Sequence, residues 1–207
     1  MPICAICGLR EGVSRDHVPP KAIFPRPRPN NLITVSACFE CNNGASDYDD
    51  LFKVFLSAQA AAHSEIAERL FNDNTVRTLE RNQRLLNTIR EESRLLEIRD
   101  ENGQLTTATG ILWNSEAHDK VIERTLRGLY FHHQGEVIPE GCNVRVQFLR
   151  GIPDEVNQFL PLMQEVVIGD RQVVYKYYIH QEDPRHSMWL FNFYNAHWAS
   201  GYTTPHQ

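Results

Sequence analysis

The spacing of four cysteines constrains this chain more than any other feature of its sequence. Cys4 and Cys7 form one Cys-x2-Cys pair, and Cys38 and Cys41 form a second. Two intervening residues let both thiolates of a pair bind one ion, and two such pairs complete a closed tetrahedral zinc site. Redox-active pairs are the alternative, but paired cysteines in a chain that lacks a secretory signal favour metal over disulfides. The spacing therefore predicts one structural Zn²⁺ bound by these four cysteines.

A closed Cys4 site has no open coordination position, so we expect this zinc to stabilise the fold rather than to catalyse. Gly8 follows the first pair, as the tight turn of a zinc knuckle requires. The second pair lies directly before a helical pattern. The order of knuckle, loop, hairpin and helix predicts a treble clef. The fifth cysteine, Cys142, stands alone among strand residues and is expected to be a small buried side chain.

The composition is that of a globular protein. The chain has 207 residues, of which 42% are hydrophobic and 23% are charged. The net charge of −5 excludes a uniformly basic nucleic-acid coat. No apolar run approaches the ~20 residues of a membrane span, and the first residues lack the pattern of a secretory signal. We therefore expect a cytoplasmic protein with no membrane contact.

The middle of the chain shows the 3.6-residue period of amphipathic helices. Apolar residues share one face over 51–70 and again over 75–98, and Asn72, Asp73 and Asn74 predict a break between these two helices. A third helix is expected over 115–131. Asn102 and Gly103 predict a turn. This region is therefore expected to be helical up to about residue 131.

The last third of the chain changes to a period of two, which predicts β-strands. Turn residues separate these runs, as expected for hairpins, so the strands are expected to form an antiparallel sheet. The fold class is then α+β, with an N-terminal zinc-bound treble clef, a helical middle and a C-terminal sheet that buries Trp189, Phe191 and Phe193. Residues 1–60 form one predicted unit and 61–207 a second, and whether the two pack as one stays open. The predicted strands are 143–150, 164–168, 172–180 and 187–194.

Three short motifs stand in and around the cysteine frame: Asp16-His17, Asn31-Leu32 and, directly after the second pair, Asn42. In this order they make residues 1–50 resemble the HNH endonucleases, namely the zinc-bound subset with a ββα-metal core. Asn stands at 42 where that family more often has His. The resemblance implies hydrolysis of DNA, with RNA as a further possible substrate, and a catalytic Mg²⁺ or Mn²⁺ ion. It does not extend beyond residue 60.

The residue types in these motifs suit phosphodiester hydrolysis, which needs a base for the water and positive charge on the scissile phosphate. His17 accepts a proton near neutral pH. Asp16 and Asn42 offer hard oxygen ligands for a divalent ion. The resemblance gives Asn31 the role of fixing the loop that carries His17, and Asn30 is the alternative residue for that role.

The first 46 residues are locally basic, with five Lys or Arg residues against three Asp or Glu. Lys21, Arg26 and Arg28 lie in a proline-rich loop beside the proposed site, where we expect them to contact the nucleic-acid backbone. The alternative is that they are ordinary solvent-exposed charges.

Two classes of function follow from these residues. The first is a metal-dependent HNH endonuclease, favoured by the order of Asp16, His17, Asn31 and Asn42 within the cysteine frame. The second is a non-catalytic zinc module that binds nucleic acid or protein, favoured by the acidic remainder of the chain. Residues 61–207 are open to target recognition, partner binding or formation of a homodimer.

Overall fold

A two-stranded hairpin and a short helix follow the first cysteine pair. Strand β1 (Ser14–His17) pairs antiparallel with strand β2 (Thr34–Ala37), and helix α1 (Phe39–Asn43) comes next. Gly8 has a φ of 66°, a left-handed conformation that suits glycine, as the sequence predicted. The computed structural model to which these elements belong describes residues 2–99 and 102–206.

The middle of the chain is helical, but its breaks differ from those predicted. The expected helix over 51–70 is interrupted after Ala60, because the Ser64 side chain accepts a hydrogen bond from the Ala67 amide at 3.3 Å and starts a new helix. The predicted break at 72–74 is wrong, since these residues continue the helix with π geometry. The elements are α2 (Ser46–Ala60), α3 (Glu65–Arg69), the π-helical segment Leu70–Thr75, α4 (Val76–Arg81) and α5 (Gln83–Glu92).

The predicted helix over 75–98 is also wrong in its last part. Strand β3 (Ser93–Arg99) follows α5 and pairs antiparallel with β4 (Leu105–Ile111), the two joined across the predicted turn at Gly103. The β3–β4 hairpin is exposed on both faces, and Leu95 is 78% exposed. A strand with no buried face has no alternation of apolar and polar residues, so its sequence does not distinguish it from a helix.

The third predicted helix is confirmed and is the longest element. Helix α6 (Ser115–Gln134) begins where the Asn114 side chain accepts a hydrogen bond from the Ala117 amide at 2.9 Å. It ends at Gly135, which has a φ of 75°. Among the described residues, no helix is long and apolar enough to cross a membrane.

The C-terminal antiparallel sheet is confirmed, with one strand more than the sequence predicted. The five strands stand in the order β5-β9-β8-β7-β6. The missed strand, β9, lies between β5 and β8 and carries Gly201 and small polar residues, so it lacks a clear period of two. The elements after α6 are β5 (Cys142–Leu149), α7 (Asp154–Asn157), a 3₁₀ turn (Leu160–Leu162), β6 (Gln164–Ile168), β7 (Val173–Ile179), β8 (Ser187–Phe193) and β9 (His197–Pro205).

One large hydrophobic core joins the sheet, the helices and the N-terminal loop. The prediction that Trp189, Phe191 and Phe193 are buried is confirmed, and all three are fully inaccessible. They share a core with α2, α6 and the proline-rich loop, whose Ile23 and Phe24 are also buried. The Tyr194 hydroxyl donates to the Ile23 carbonyl at 2.6 Å. The core therefore draws side chains from both sides of residue 60.

Helix α6 packs closely against the residue that follows His17. A Cβ atom at Gly128 would lie 2.5 Å from Val18 Cγ1, so only glycine allows this approach. We expect Gly128→Ala to lower the free energy of unfolding by about 1 kcal/mol, from about 1–3 kcal/mol of overpacking offset by about 1 kcal/mol of helix propensity. Denaturant unfolding measures this.

The double variant Val18→Ala/Gly128→Ala is the control, because it removes the methyl groups that clash. Its cost should be smaller than the sum of the two single costs. Additive costs would show that the contact between α6 and Val18 does not limit packing.

Candidate metal centre and active site

The four paired cysteines come together at one point. The sulfur atoms of Cys4, Cys7, Cys38 and Cys41 all lie within 4.8 Å of one another. With Zn–S bonds of about 2.3 Å, the sulfurs of a tetrahedral site lie roughly 3.8 Å apart, so the cluster suits such an ion with little movement. The cysteines are thus positioned to bind a metal ion such as zinc.

Backbone hydrogen bonds hold the segments that carry these cysteines. The Gly8 amide donates to the Cys4 carbonyl at 2.9 Å, which closes the knuckle, and the Ala5 amide donates to Ser36 of β2 at 2.8 Å. Cys38 caps α1, because its sulfur accepts from the Cys41 amide at 3.5 Å. The knuckle, the hairpin and α1 are therefore held around the same four sulfurs.

The thiol of Cys7 is already acidic. Burial opposes its ionisation, but hydrogen bonds from the backbone of Leu9 and Arg10 and from Cys4 and Cys41 outweigh that effect and lower its pKa to about 6. The thiolate is the form that binds metal. The lowered pKa of Cys7 therefore favours its ligating form, whereas burial raises the pKa of Cys41.

Removal of one ligand should release the metal. We expect one zinc per chain in the wild-type protein and none in Cys41→Ser, with loss of amide protection in the hairpin, because binding of a structural zinc contributes to folding. Elemental analysis and hydrogen exchange measure the two effects. Cys142→Ser is the matched control, since Cys142 lies outside the cluster, and it should keep its zinc. A folded wild-type protein without zinc would contradict the assignment.

The Asp16 and His17 motif lies at the end of β1, where the carboxylate of Asp16 turns inward. Asp16 is only 7% exposed, and its Oδ1 accepts from the His17 amide at 2.8 Å. Its Oδ2 lies 3.6 Å from Nε of Arg124 on α6. Arg124 also donates to Oδ1 of Asp49 on α2. One buried guanidinium therefore joins carboxylates from two separate elements.

Several polar atoms of this ion cluster lack hydrogen-bond partners. Two carboxylates face one guanidinium, and within the described residues Oδ2 of Asp16 and both Nε and Nη1 of Arg124 have no hydrogen-bond partner. Burial raises the pKa of Asp16 against the opposing effect of Arg124, and burial likewise raises the pKa of Asp49 to about 6. When all three groups are ionised, the cluster keeps an excess negative charge.

Arg124 and Asp49 belong to no sequence motif. The signal that could have found Arg124 is its position, since its neighbours Val121, Ile122 and Leu126 on α6 are all buried. A charged residue among buried positions needs a charged partner, and such a partner is rarely visible in the sequence. The Asp16–Arg124–Asp49 cluster is therefore a finding of the structure alone.

His17 is half-buried and surrounded by cations. Burial lowers its pKa, Lys21, Arg28 and Arg15 lower it further, and Asp16 opposes them without outweighing them. The ring is therefore neutral at pH 7. Arg28 also donates to the Lys21 carbonyl at 3.3 Å, which holds the loop, and Arg26 is exposed on the same loop. Lys21 and Arg28 thus add positive charge beside His17.

Asn42 lies beside the strand that carries Asp16 and His17. Its amide nitrogen donates to Ser14 Oγ at 2.9 Å, and Ser14 in turn donates to the Ala37 carbonyl, so the orientation of the Asn42 amide is fixed. A second, longer contact joins the same nitrogen to the Arg15 carbonyl at 3.4 Å. The oxygen of this amide is not used in these contacts.

Asn31 makes different contacts from those that the resemblance implies. Its side-chain nitrogen donates to the Val167 carbonyl and its oxygen accepts from the Gly169 amide, both at 3.0 Å. Both ends of the amide are thus bound to the turn between β6 and β7. The chain beside His17 is held instead by the Val18 amide, which donates to the Ile33 carbonyl at 3.1 Å. Asp16 and His17 are thus adjacent at the end of β1, Asn42 lies against Ser14 and Arg15 of the same strand, and the Asn31 amide lies at the C-terminal sheet.

Comparisons of the chain with protein-family models, with curated proteins and with solved structures found no match. Any proposal about the function of this protein therefore rests on its residues and their geometry.

Arg124 should be costly to remove. Arg124→Leu leaves the carboxylates of Asp16 and Asp49 buried without a cation, and we expect a loss of about 3–5 kcal/mol in the free energy of unfolding. The matched control is Arg127→Leu on the same helix, which breaks a partly exposed pair with Glu123 and should cost at most about 1 kcal/mol. Equal costs in denaturant unfolding would show that the buried cluster does not hold β1 against the helices.

Proposed function

We propose that the protein is a metal-dependent endonuclease of the HNH type that hydrolyses phosphodiester bonds in DNA. One observation carries the proposal: the Asn42 amide donates to β1, the strand that ends in Asp16 and His17. In this interpretation the knuckle, the β1–β2 hairpin and α1 form a treble clef with a ββα-metal core. The Cys4 zinc then fixes α1 against the hairpin.

His17 is the general base of this proposal. Its ring is half-buried, and the effects of burial and of Lys21 keep it neutral at pH 7, the state in which it accepts a proton from the attacking water. Lys21, Arg26 and Arg28 bind backbone phosphates through their positive charge. Asn31 anchors the loop that carries these cations to the β6–β7 turn.

The side-chain oxygens of Asp16 and Asn42 are of the type that a hard divalent ion prefers. Oδ2 of Asp16 is buried and has no hydrogen-bond partner within the described residues, and the oxygen of the Asn42 amide is not used in the contacts that fix its nitrogen. The excess negative charge around Arg124 also favours a cation. Asp16 and Asn42 would hold a Mg²⁺ or Mn²⁺ ion, which supplies positive charge to the phosphate during hydrolysis.

A non-catalytic zinc module that binds nucleic acid or protein is the second candidate. The burial of Asp16 favours it, because the guanidinium of Arg124 already lies 3.6 Å from the carboxylate oxygen that a divalent ion would need. In that case the Asp16–Arg124–Asp49 cluster only fastens the hairpin to the helices. The two candidates differ in whether His17 contributes to a measurable reaction.

Nicking of plasmid DNA with and without Mg²⁺ or Mn²⁺ tests the proposal. We expect cleavage only with the divalent ion, and a loss of about 10²–10⁴-fold in His17→Ala, because the proton acceptor is removed. The zinc content should not change, since His17 is not a zinc ligand. His132→Ala is the matched control, as His132 is exposed at the far end of α6, and it should cleave at the wild-type rate.

Variants of Asn42 separate the role of the metal from that of the base. Asn42→Ala should weaken binding of the divalent ion, and a higher metal concentration should partly restore cleavage. Asn42→His should keep or raise the rate with Mn²⁺, because imidazole is the better ligand for a transition metal. A zinc-loaded wild-type protein that binds DNA or RNA without cleaving either would decide for the non-catalytic module.

A further inference from the structure

Two buried histidines lie outside the proposed active site, with their rings close together. His118 lies on α6 and His197 begins β9, and they are 1% and 0% exposed. Their ring centroids are 5.3 Å apart. A polar ring needs partners when it is buried, so each nitrogen of this pair must be accounted for.

The Nδ1 atoms have fixed roles. Gln59 donates from its amide nitrogen to the Ala196 carbonyl at 3.1 Å, so its Oε1, which lies 2.8 Å from Nδ1 of His197, must be an acceptor. The carboxylate of Asp119 likewise accepts from Nδ1 of His118 at 2.7 Å. Both rings therefore carry their proton on Nδ1, which leaves an unprotonated lone pair on each Nε2.

These two lone pairs are unused. Neither Nε2 atom has a hydrogen-bond partner among the described residues. Burial lowers the pKa of His118, and burial together with the nearby His118 lowers the pKa of His197 to about 3, so both rings are neutral at pH 7. A buried acceptor without a partner lowers the free energy of unfolding. One partner bound between the two rings would satisfy both acceptors.

Aromatic rings enclose the pair, and a groove lies on the outer side of these rings. The rings of Trp113 and Phe148 each lie 5.1 to 6.2 Å from both imidazoles. These two residues and Gln59 also line a groove of about 360 Å³, and both rings are more than one third exposed. An ion or a small molecule from solvent therefore reaches the pair by displacing side chains at the surface.

We propose that His118 and His197 form a second metal site that binds a transition-metal ion such as Zn²⁺ or Co²⁺ through their Nε2 atoms. With metal–nitrogen bonds of about 2.0–2.1 Å, two imidazoles on a tetrahedral ion have centroids roughly 5 Å apart, and on a linear ion roughly 6.5 Å apart. The observed 5.3 Å is short enough for the tetrahedral case and too short for the linear one.

The surroundings of the rings support a metal over another partner. Histidine ligands of metal ions usually donate their second N–H to a carboxylate or a carbonyl, which is the arrangement that Asp119 and Gln59 provide here. Imidazole is a ligand that suits zinc and cobalt. The remaining coordination positions then belong to water molecules that enter with the ion. A single water that donates to both lone pairs is the competing occupant.

Titration of the zinc-loaded protein with Co²⁺ tests the proposal. We expect one further equivalent of metal per chain and quenching of Trp113 fluorescence, because Trp113 lies against both rings. Trp113→Phe should keep the second equivalent and lose the quenching. His118→Gln and His197→Gln should each lose the second equivalent and keep the Cys4 zinc, whereas the exposed His132→Gln, the matched control, should bind both metals.

Asp119→Asn keeps the proposal testable if a substitution of a buried histidine unfolds the protein. Asp119 is half exposed, so this variant should fold, and the loss of its charge should weaken Co²⁺ binding by about 10–100-fold. A wild-type protein that binds no metal beyond the Cys4 zinc, when tested with Co²⁺ and Zn²⁺ separately, would overturn the site and leave water as the shared partner. An unchanged Co²⁺ affinity in Asp119→Asn and both histidine variants would also overturn it. The test does not depend on nuclease activity.

Discussion

The placement of the N-terminal hairpin depends on its contact with α6. Arg124 joins the Asp16 carboxylate of β1 to Asp49 of α2, and one turn further along Gly128 lets Val18 pack against the helix. The hairpin has few apolar residues of its own, so a metal cluster alone would leave its orientation free. The charged contact at Asp16 and the close packing at Val18 hold the chain on both sides of His17 against α6.

The clustering of the four cysteines could be predicted from the sequence because their spacing is a local feature. Two residues between cysteines place both thiolates on one ion whatever the rest of the chain does. The same holds for α6, for the Gly103 turn and for the strands with one buried face, where period and burial agree. These features depend on neighbours within a few residues.

The features that could not be predicted depend on distant contacts. The β3–β4 hairpin was missed because neither face is buried, and β9 was missed because its buried face carries small or polar residues such as Ala199, Gly201 and Thr203. The partners of Asp16 come from α2 and α6, and the Asn31 amide is bound by the β6–β7 turn. The pairing of His118 with His197 likewise joins α6 to β9. Spacing along the chain carries no signal of such contacts.

The β3–β4 hairpin has a consequence for how stability is distributed along the chain. An isolated two-stranded hairpin is marginal in water, and Ile111 is the residue through which this hairpin packs against the small cluster of Phe55, Leu85 and Ile89. Few buried contacts and many solvent-facing amides place a segment at the low end of local stability. We therefore expect the hairpin to open and reclose as a subglobal unit while the sheet and α6 stay folded. Each opening exposes unpaired strand edges, and the charges of Arg94, Glu97 and Arg99 oppose their association with other chains.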